Sequence, residues 1–147
     1  MSLSERLNED MKAAMRSQDK FRLSVIRMVR SSIKNVEIDQ RKTLADNEVL
    51  EILGRELKQR RDSIQEFERA GRGDLAEAVK AEIDILAEYM PQQLSEAEIE
   101  DVVKQTIAEV GASSKADMGK LMSALMPKVK GRADGKLVNQ AVLRLLQ

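Results

Sequence analysis

Apolar residues recur every three or four positions along most of the chain, which is the spacing typical of amphipathic α-helices. The first stretch is the clearest case, because Leu3, Leu7, Met11 and Met15 follow one another at intervals of four residues. The spacing predicts four helices before Pro91, and they cover residues 3–17, 21–36, 49–67 and 75–90. No stretch alternates apolar and polar residues in the manner of a β-strand.

Three shorter helices are predicted after the segment Pro91-Gln92-Gln93-Leu94, which we interpret as a hinge. Ser95 followed by Glu98 matches a capping box and predicts the start of the fifth helix. Pro127 is expected to end the sixth helix, and Asp134 to cap the seventh. The three predicted helices cover residues 96–110, 118–126 and 137–145.

We therefore predict an all-α fold, with an N-terminal four-helix lobe over residues 1–91 and a smaller three-helix C-terminal lobe over residues 95–147. The 147 residues include no Cys and no His, which excludes disulfides, zinc fingers and His-based catalysis. We expect no cofactor and no metal site. The charged N-terminus is unlike a signal peptide, and no apolar run approaches the roughly 20 residues of a membrane span, so we expect a cytoplasmic protein with no membrane partner.

The charges are balanced over the whole chain but segregated along it, with 25 basic and 25 acidic residues in total. Residues 20–42 and residues 112–147 each hold seven basic residues against two acidic ones. Residues 43–111 hold eight basic residues against 17 acidic ones. Such segregation can steer an anionic partner to one part of a molecule.

The densest basic stretch is the turn Lys128-Val129-Lys130-Gly131-Arg132-Ala133-Asp134-Gly135-Lys136, between the sixth and seventh predicted helices. Glycines allow close approach of the backbone, and the free amides at a helix N-terminus favour a phosphate. The turn lacks the spacing and the Ser/Thr of a P-loop, so we do not expect nucleoside triphosphate binding. The alternative is that the two glycines only connect two helices and that the basic side chains are solvated. Composition alone leaves both open.

A second basic group, Arg27, Arg30 and Lys34, lies on the second predicted helix. A solvated helix face explains this group better than a ligand does, so we treat it as a secondary basic face. The C-terminal lobe has no aromatic residue, so it would contact nucleic acid through phosphates and shape rather than by base stacking. No combination of nucleophile, base and oxyanion donors is evident, and we expect no catalysis by this chain alone.

Several sequence blocks resemble the YqeY-like proteins, and the resemblance extends over essentially the whole chain. The blocks are Arg22-Leu23-Ser24-Val25-Ile26-Arg27-Met28 with Ile33-Lys34-Asn35, Glu56-Leu57-Lys58-Gln59-Arg60-Arg61-Asp62-Ser63-Ile64, Glu82-Ile83-Asp84-Ile85-Leu86 followed by Tyr89-Met90-Pro91-Gln92-Gln93-Leu94, Asp117-Met118-Gly119-Lys120-Leu121-Met122 and Lys130-Gly131-Arg132-Ala133-Asp134-Gly135-Lys136-Leu137-Val138-Asn139. The last two blocks together are the most specific.

The second lobe of this family is similar to the C-terminal tail of the B subunit of glutamine-dependent aspartyl/glutamyl-tRNA amidotransferase, a helical appendage that engages tRNA away from the chemistry. The resemblance therefore implies binding of tRNA or another structured RNA and does not imply catalysis. The residues implicated are Gly119, Lys120, Lys128, Lys130, Gly131, Arg132, Gly135, Lys136 and Asn139.

Two other functions remain open at this point. The chain could be an accessory subunit beside an amidotransferase or an aminoacyl-tRNA synthetase, with the carbon–nitrogen ligase activity supplied by another chain that uses glutamine as amide donor. It could instead be a helical protein–protein adaptor, using the acidic third and fourth helices or the face formed by Met118, Met122 and Met126.

Overall fold

The periodic apolar residues form seven α-helices and one short 3₁₀ helix in the computed structural model, which describes residues 1–146. The all-α prediction is confirmed, because these described residues contain no β-strand. The chain divides into two compact units, Met1–Met90 and Pro91–Gln147, which we call the N-terminal and the C-terminal unit.

The N-terminal unit contains four helices that share one apolar core. They are α1 (Leu3–Arg16), α2 (Lys20–Gln40), α3 (Asp46–Arg69) and α4 (Gly73–Ala87). Three residues connect α1 to α2, and contacts such as Met11 with Arg30 indicate that the two helices run antiparallel. The core is made by the inward faces of all four helices, and its fully buried residues include Leu7, Val25, Ile26, Val29, Val49, Leu53 and Leu86.

A buried arginine links three of these helices. Arg60 of α3 is only 7% exposed, and its Nη1 donates a hydrogen bond to Glu56 Oε2 at 2.7 Å. Its Nε makes no hydrogen bond but lies 3.5 Å from Glu82 Oε2 of α4. Glu56 Oε1 also accepts a hydrogen bond from Ser32 Oγ of α2 at 3.1 Å. The positive charge of Arg60 therefore offsets two carboxylates that would otherwise repel each other inside the unit.

Tyr89 fixes the end of the N-terminal unit just after α4. Its ring is 3% exposed and lies 4.6 Å from the Arg6 guanidinium, and its hydroxyl donates to Asp10 Oδ2 at 2.5 Å. Burial and this hydrogen bond to a carboxylate raise the pKa of Tyr89 far above its usual value. The neutral phenol therefore ties the turn after α4 to α1 across the physiological pH range.

The C-terminal unit is built on α5 (Glu96–Val110), which packs against both α6 (Met118–Val129) and α7 (Gly135–Leu145). The predicted capping box is present, because Ser95 Oγ accepts from the Glu98 amide and Glu98 Oε1 accepts from the Ser95 amide. Gly111 ends α5 with a positive φ of 68°, a backbone conformation that glycine favours. The core residues are Ile99, Val103, Ala112, Leu121, Leu125, Val129, Val138, Ala141, Val142 and Leu146.

The structure corrects the prediction that Pro127 ends the sixth helix. Proline removes one backbone donor and clashes with the carbonyl four residues earlier, but α6 continues for two residues beyond it. Pro127 lies in the last turn and is exposed, so the local change is accommodated at the helix end, and the Lys130 amide still donates to Met126 O at 2.9 Å. No periodic pattern in the sequence predicts the 3₁₀ helix Lys115–Asp117 before α6.

Replacing Arg60 tests its structural role. We expect Arg60→Ala to lower the free energy of unfolding by about 3 kcal/mol, because it leaves Glu56 and Glu82 unpaired in a partly buried site. The neighbouring exposed variant Arg61→Ala should change it by less than about 0.5 kcal/mol. Urea unfolding followed by circular dichroism measures both, and equal effects of the two variants would contradict the role assigned to Arg60.

Candidate nucleic-acid interface

The basic turn predicted from the sequence forms a tight connection between α6 and α7. We call residues 130–136 the basic corner. The chain reverses at Gly131, whose φ of +75° lies in the left-handed region that glycine favours. The amides of Arg132 and Ala133 both donate to Val129 O, at 2.9 and 3.1 Å, so the corner begins as a direct continuation of the last turn of α6.

The segment before α5 holds the corner in place. Leu94 N donates to Arg132 O at 2.7 Å, and Gln93 Nε2 donates to Gly131 O at 2.9 Å. Gln93 also donates to Pro91 O at 3.0 Å. The sequence predicts a hinge at these residues and contains no local signal for this role. Gln93 and Leu94 belong to the C-terminal unit, where they fix two consecutive carbonyls of the corner.

The cationic side chains of the corner are exposed. Arg132 and Lys136 are exposed, and neither has an ion pair within 4.0 Å among residues 1–146. Lys130 is also exposed. The hydrogen bonds that Glu98 receives from Ser95, together with the charge of Arg132, hold the pKa of this carboxyl below its usual value. Arg132 is therefore close enough to α5 to act on Glu98 without being neutralised by an ion pair.

A carboxylate occupies the N-terminus of α7. Asp134 caps the helix as predicted, because its Oδ1 accepts from the Lys136 amide at 3.1 Å. The expectation that this helix N-terminus offers free amides to a phosphate is therefore wrong for the Lys136 amide. A negative side chain at the same place also disfavours an anion there. Any phosphate contact at the corner would depend on its side chains.

The remaining predicted residues of the C-terminal unit lie outside the corner. Lys128 is directed toward α5, where its Nζ donates to the buried Thr106 Oγ1 at 3.0 Å and to Glu109 Oε2 at 2.7 Å. Gly119 and Lys120 lie in the first turn of α6, about 15 Å along the helix axis from its last residues. Asn139 is exposed on α7, one turn beyond Gly135 and Lys136.

The secondary basic face lies in the N-terminal unit. Arg27 and Lys34 are exposed on α2, and neither has an ion pair within 4.0 Å in the part of the chain that the structure describes. Arg30 is half-buried, with Nη1 2.8 Å from Met11 Sδ. The three cations border a groove between α1 and α2, a feature that the sequence did not reveal.

The described residues contain no cluster of three or more acidic side chains that could hold a metal ion. None of the helices within residues 1–146 is both long and apolar enough to cross a membrane. Met118 and Met122 pack against the core of the C-terminal unit, and only Met126 is exposed to a large extent, so the proposed methionine face is mostly core.

The fold and the basic corner define a small all-α protein of two helical units, with an exposed cationic connection between α6 and α7. Comparison with known families places it more specifically: the family described as Yqey-like protein matches residues 4–146. The chain belongs to this family, which confirms the resemblance seen in the sequence blocks.

Several fungal proteins that carry the name "Altered inheritance of mitochondria protein 41, mitochondrial" are similar to the chain. The protein of Pyrenophora tritici-repentis is 31% identical over 140 residues, which cover 93% of this chain and 77% of the relative. That of Lachancea thermotolerans is 39% identical over 111 residues, covering 74% of this chain and 59% of the relative. That of Kluyveromyces lactis is 43% identical over 84 residues, which cover 56% of this chain and 45% of the relative. The chain thus matches less than two thirds of the length of some relatives.

The names of these relatives contradict the expected cytoplasmic location, because each relative is named as a mitochondrial protein. The expectation rested on composition and on the lack of recognised targeting signals. The packing and hydrogen bonds that form helical cores and caps do not direct a protein to a cellular compartment. Receptors recognise dedicated targeting segments instead. The fold of a small helical protein therefore does not determine its compartment.

The backbone conformation of the corner can be tested with alanine substitutions. Gly131→Ala should lower the free energy of unfolding by about 1 kcal/mol, because alanine is strained at a positive φ even where its methyl group meets open space. Gly119→Ala is the control, since Gly119 has an ordinary helical φ and open space, and the higher helix propensity of alanine should raise stability by up to about 1 kcal/mol. Thermal unfolding that shifts in the same direction for both variants would contradict this assignment.

Proposed function

We propose that the C-terminal unit is an RNA-binding module that contacts the phosphates of tRNA or another structured RNA through the basic corner, and that it is not itself catalytic. The observation that carries the proposal is a pair of exposed cations, Arg132 and Lys136, that have no ion pair within 4.0 Å among residues 1–146. They lie on a helix connection in which Gln93 and Leu94 bind two consecutive carbonyls. The similarity of this lobe to the tRNA-engaging tail of an amidotransferase subunit points to the same surface.

The rigidity of the corner supports this function physically. A flexible loop would lose conformational entropy when it bound RNA, and this loss would offset part of the phosphate contacts. Here the Gly131 carbonyl, the Arg132 amide and carbonyl, and the Ala133 amide are already hydrogen-bonded before any ligand arrives. The long side chains still move, so they can adapt to the spacing of phosphates along a folded RNA.

The predicted residues differ in how directly they can contribute. Arg132 and Lys136 form the centre of the proposed interface, with Lys130 and Asn139 beside them. Lys128 would first have to leave Glu109 and Thr106 before it could contact a phosphate. Lys120 and Gly119, at the other end of α6, would be reached only by an RNA surface that extends along this helix.

Recognition would rest on shape and charge rather than on base stacking. The aromatic residues Phe21, Phe67 and Tyr89 all lie in the N-terminal unit, so the C-terminal unit offers no ring on which an unstacked base could lie. A folded RNA with closely spaced phosphates fits this chemistry better than a single strand. An accessory role beside an amidotransferase or a synthetase is compatible with RNA binding and rests on the family resemblance alone.

Removing the two central cations tests the proposed interface. Arg132→Ala with Lys136→Ala should weaken the binding of tRNA at least about tenfold and should reduce the slope of log affinity against log salt concentration by about 1.5, since two phosphate contacts are lost. Both side chains are exposed, so helicity should not change. Filter binding at several salt concentrations measures both effects.

The matched control for this double variant is Lys104→Ala with Lys115→Ala, which removes two exposed cations of the same unit outside the corner. If the corner is the interface, the control should bind tRNA nearly as well as the original protein. An equal loss of tRNA affinity in both double variants would show that binding is only a general attraction between a basic unit and a polyanion. Unchanged binding by the corner variant would overturn the proposal.

Neutralising the carboxylate at the corner should have the opposite effect. Asp134→Asn keeps the helix cap, because Asn and Asp are comparable N-cap residues, and it removes a negative charge from beside Lys136. We expect the affinity for tRNA to rise about threefold. Asp101→Asn, at an exposed position on α5, should change it little. Gel-shift titrations in which both variants behave alike would argue against contact at Asp134.

A further inference from the structure

A groove of about 740 Å³ lies between α1 and α2 in the N-terminal unit. On the α1 side it is lined at intervals of three to four residues by Ser4, Leu7, Met11 and Met15. On the α2 side it extends from Arg27 to Glu37. At a rise of 1.5 Å per residue, both walls run for about 15 Å, which is the length of roughly three turns of an α-helix.

The two walls of the groove differ in chemistry. The α1 wall is apolar except for Ser4 at one end, and its other end is Met15, which is 50% exposed. The floor is made by the buried Leu7 and Ile33. The α2 wall carries Arg27 and Lys34, and Arg30 lies across the middle against Met11. A complementary ligand would therefore need an apolar face next to a negatively charged edge.

We propose that this groove binds an amphipathic α-helix of a partner protein, whose apolar face packs on Met11 and Met15 and whose acidic edge pairs with Arg27 and Lys34. Docking of a helix into an apolar groove is a common mode of peptide recognition. Methionine suits it because the unbranched, polarisable side chain adapts to different apolar partners. The length of the groove matches about three helical turns, so apolar residues of the ligand at i, i+3 or i+4, i+7 and i+10 or i+11 would span it.

Charge complementarity favours this occupant over the alternatives. RNA would pair with the three cations but would place its phosphates and sugars against Met11 and Met15, which carry no hydrogen-bond donor. Glu37 closes one end of the groove and accepts a hydrogen bond from the Leu44 amide at 2.9 Å, so the positive potential is concentrated toward Arg27 and Lys34. The acidic edge of the bound helix should therefore lie nearer to Arg27 than to Glu37.

The test uses a fluorescently labelled 18-residue peptide designed as an amphipathic helix, with a stripe of Leu and one edge of Glu. Fluorescence anisotropy should show saturable binding to the full chain, and a matched peptide with Lys in place of Glu should bind at least about tenfold more weakly, a difference of roughly 1.4 kcal/mol. Bound peptide should also slow amide hydrogen exchange within residues 4–15 and 27–37.

Variants of the groove keep the test specific. Met15→Glu and the double change Arg27→Glu with Lys34→Glu should each weaken binding of the acidic peptide at least about tenfold. All three side chains are exposed, so the fold should be retained. The controls are Arg61→Glu on α3 and Met126→Glu in the C-terminal unit, both exposed and outside the groove, and they should leave the affinity unchanged.

Several outcomes would overturn the proposal. Equal binding of the acidic and basic peptides, or equal loss in groove and control variants, would show that the groove does not select an acidic helix. Binding to anionic phospholipid vesicles but not to the peptide would assign the groove to a membrane surface. A dimer in sedimentation experiments that is lost in Met15→Glu, without peptide binding, would assign it to a second copy of the chain. If the groove variants lose tRNA binding while the Arg132→Ala, Lys136→Ala variant keeps it, the groove would be assigned to RNA binding.

Discussion

The position of the basic corner depends on two hydrogen bonds from the segment before α5, from Leu94 N to Arg132 O and from Gln93 Nε2 to Gly131 O. Without them, the connection between α6 and α7 would be held only by its own turn, because these two helices pack mainly against α5 rather than against each other. The same segment runs directly into the capping box at Ser95, so the start of α5 and the corner are fixed together. Arg132 and Lys136 therefore project from a defined backbone.

The helices of this protein were largely predictable, whereas the partners of its charged side chains were not. Helical spacing and the capping signals at Ser95 and Asp134 depend on neighbours within a few residues, so the sequence reports them directly. The contacts of Lys128 with Thr106 and Glu109 join residues about 20 positions apart on different helices, and no local pattern encodes such a pairing. The error at Pro127 has a related cause, since a helix end can absorb a proline that its interior could not.

The groove between α1 and α2 shows a different limit of sequence interpretation. The apolar residues at four-residue intervals in α1 predicted a helix face, but spacing alone does not distinguish a face that is fully buried from one that is covered at one edge only. Leu7 is buried while Met15 of the same stripe is half exposed. Which part of a stripe remains open depends on the packing angle and length of the neighbouring helix, and these are properties of the tertiary structure.

The chain is neutral overall, but its cations differ in whether they form ion pairs. With 25 basic and 25 acidic residues, nearby acids could in principle pair with every cation. Ion pairs are formed by cations of the acidic middle region, such as Arg60, Arg72 and Lys80, and also by four cations of the basic zones, Arg22, Lys42, Lys128 and Arg144. Arg27, Lys34, Arg132 and Lys136 have none within 4.0 Å among residues 1–146. These last four cations lie in the two basic zones of the sequence. An anionic ligand at these four side chains would therefore gain attraction without first breaking an ion pair, which is the energetic condition that both proposed interactions require.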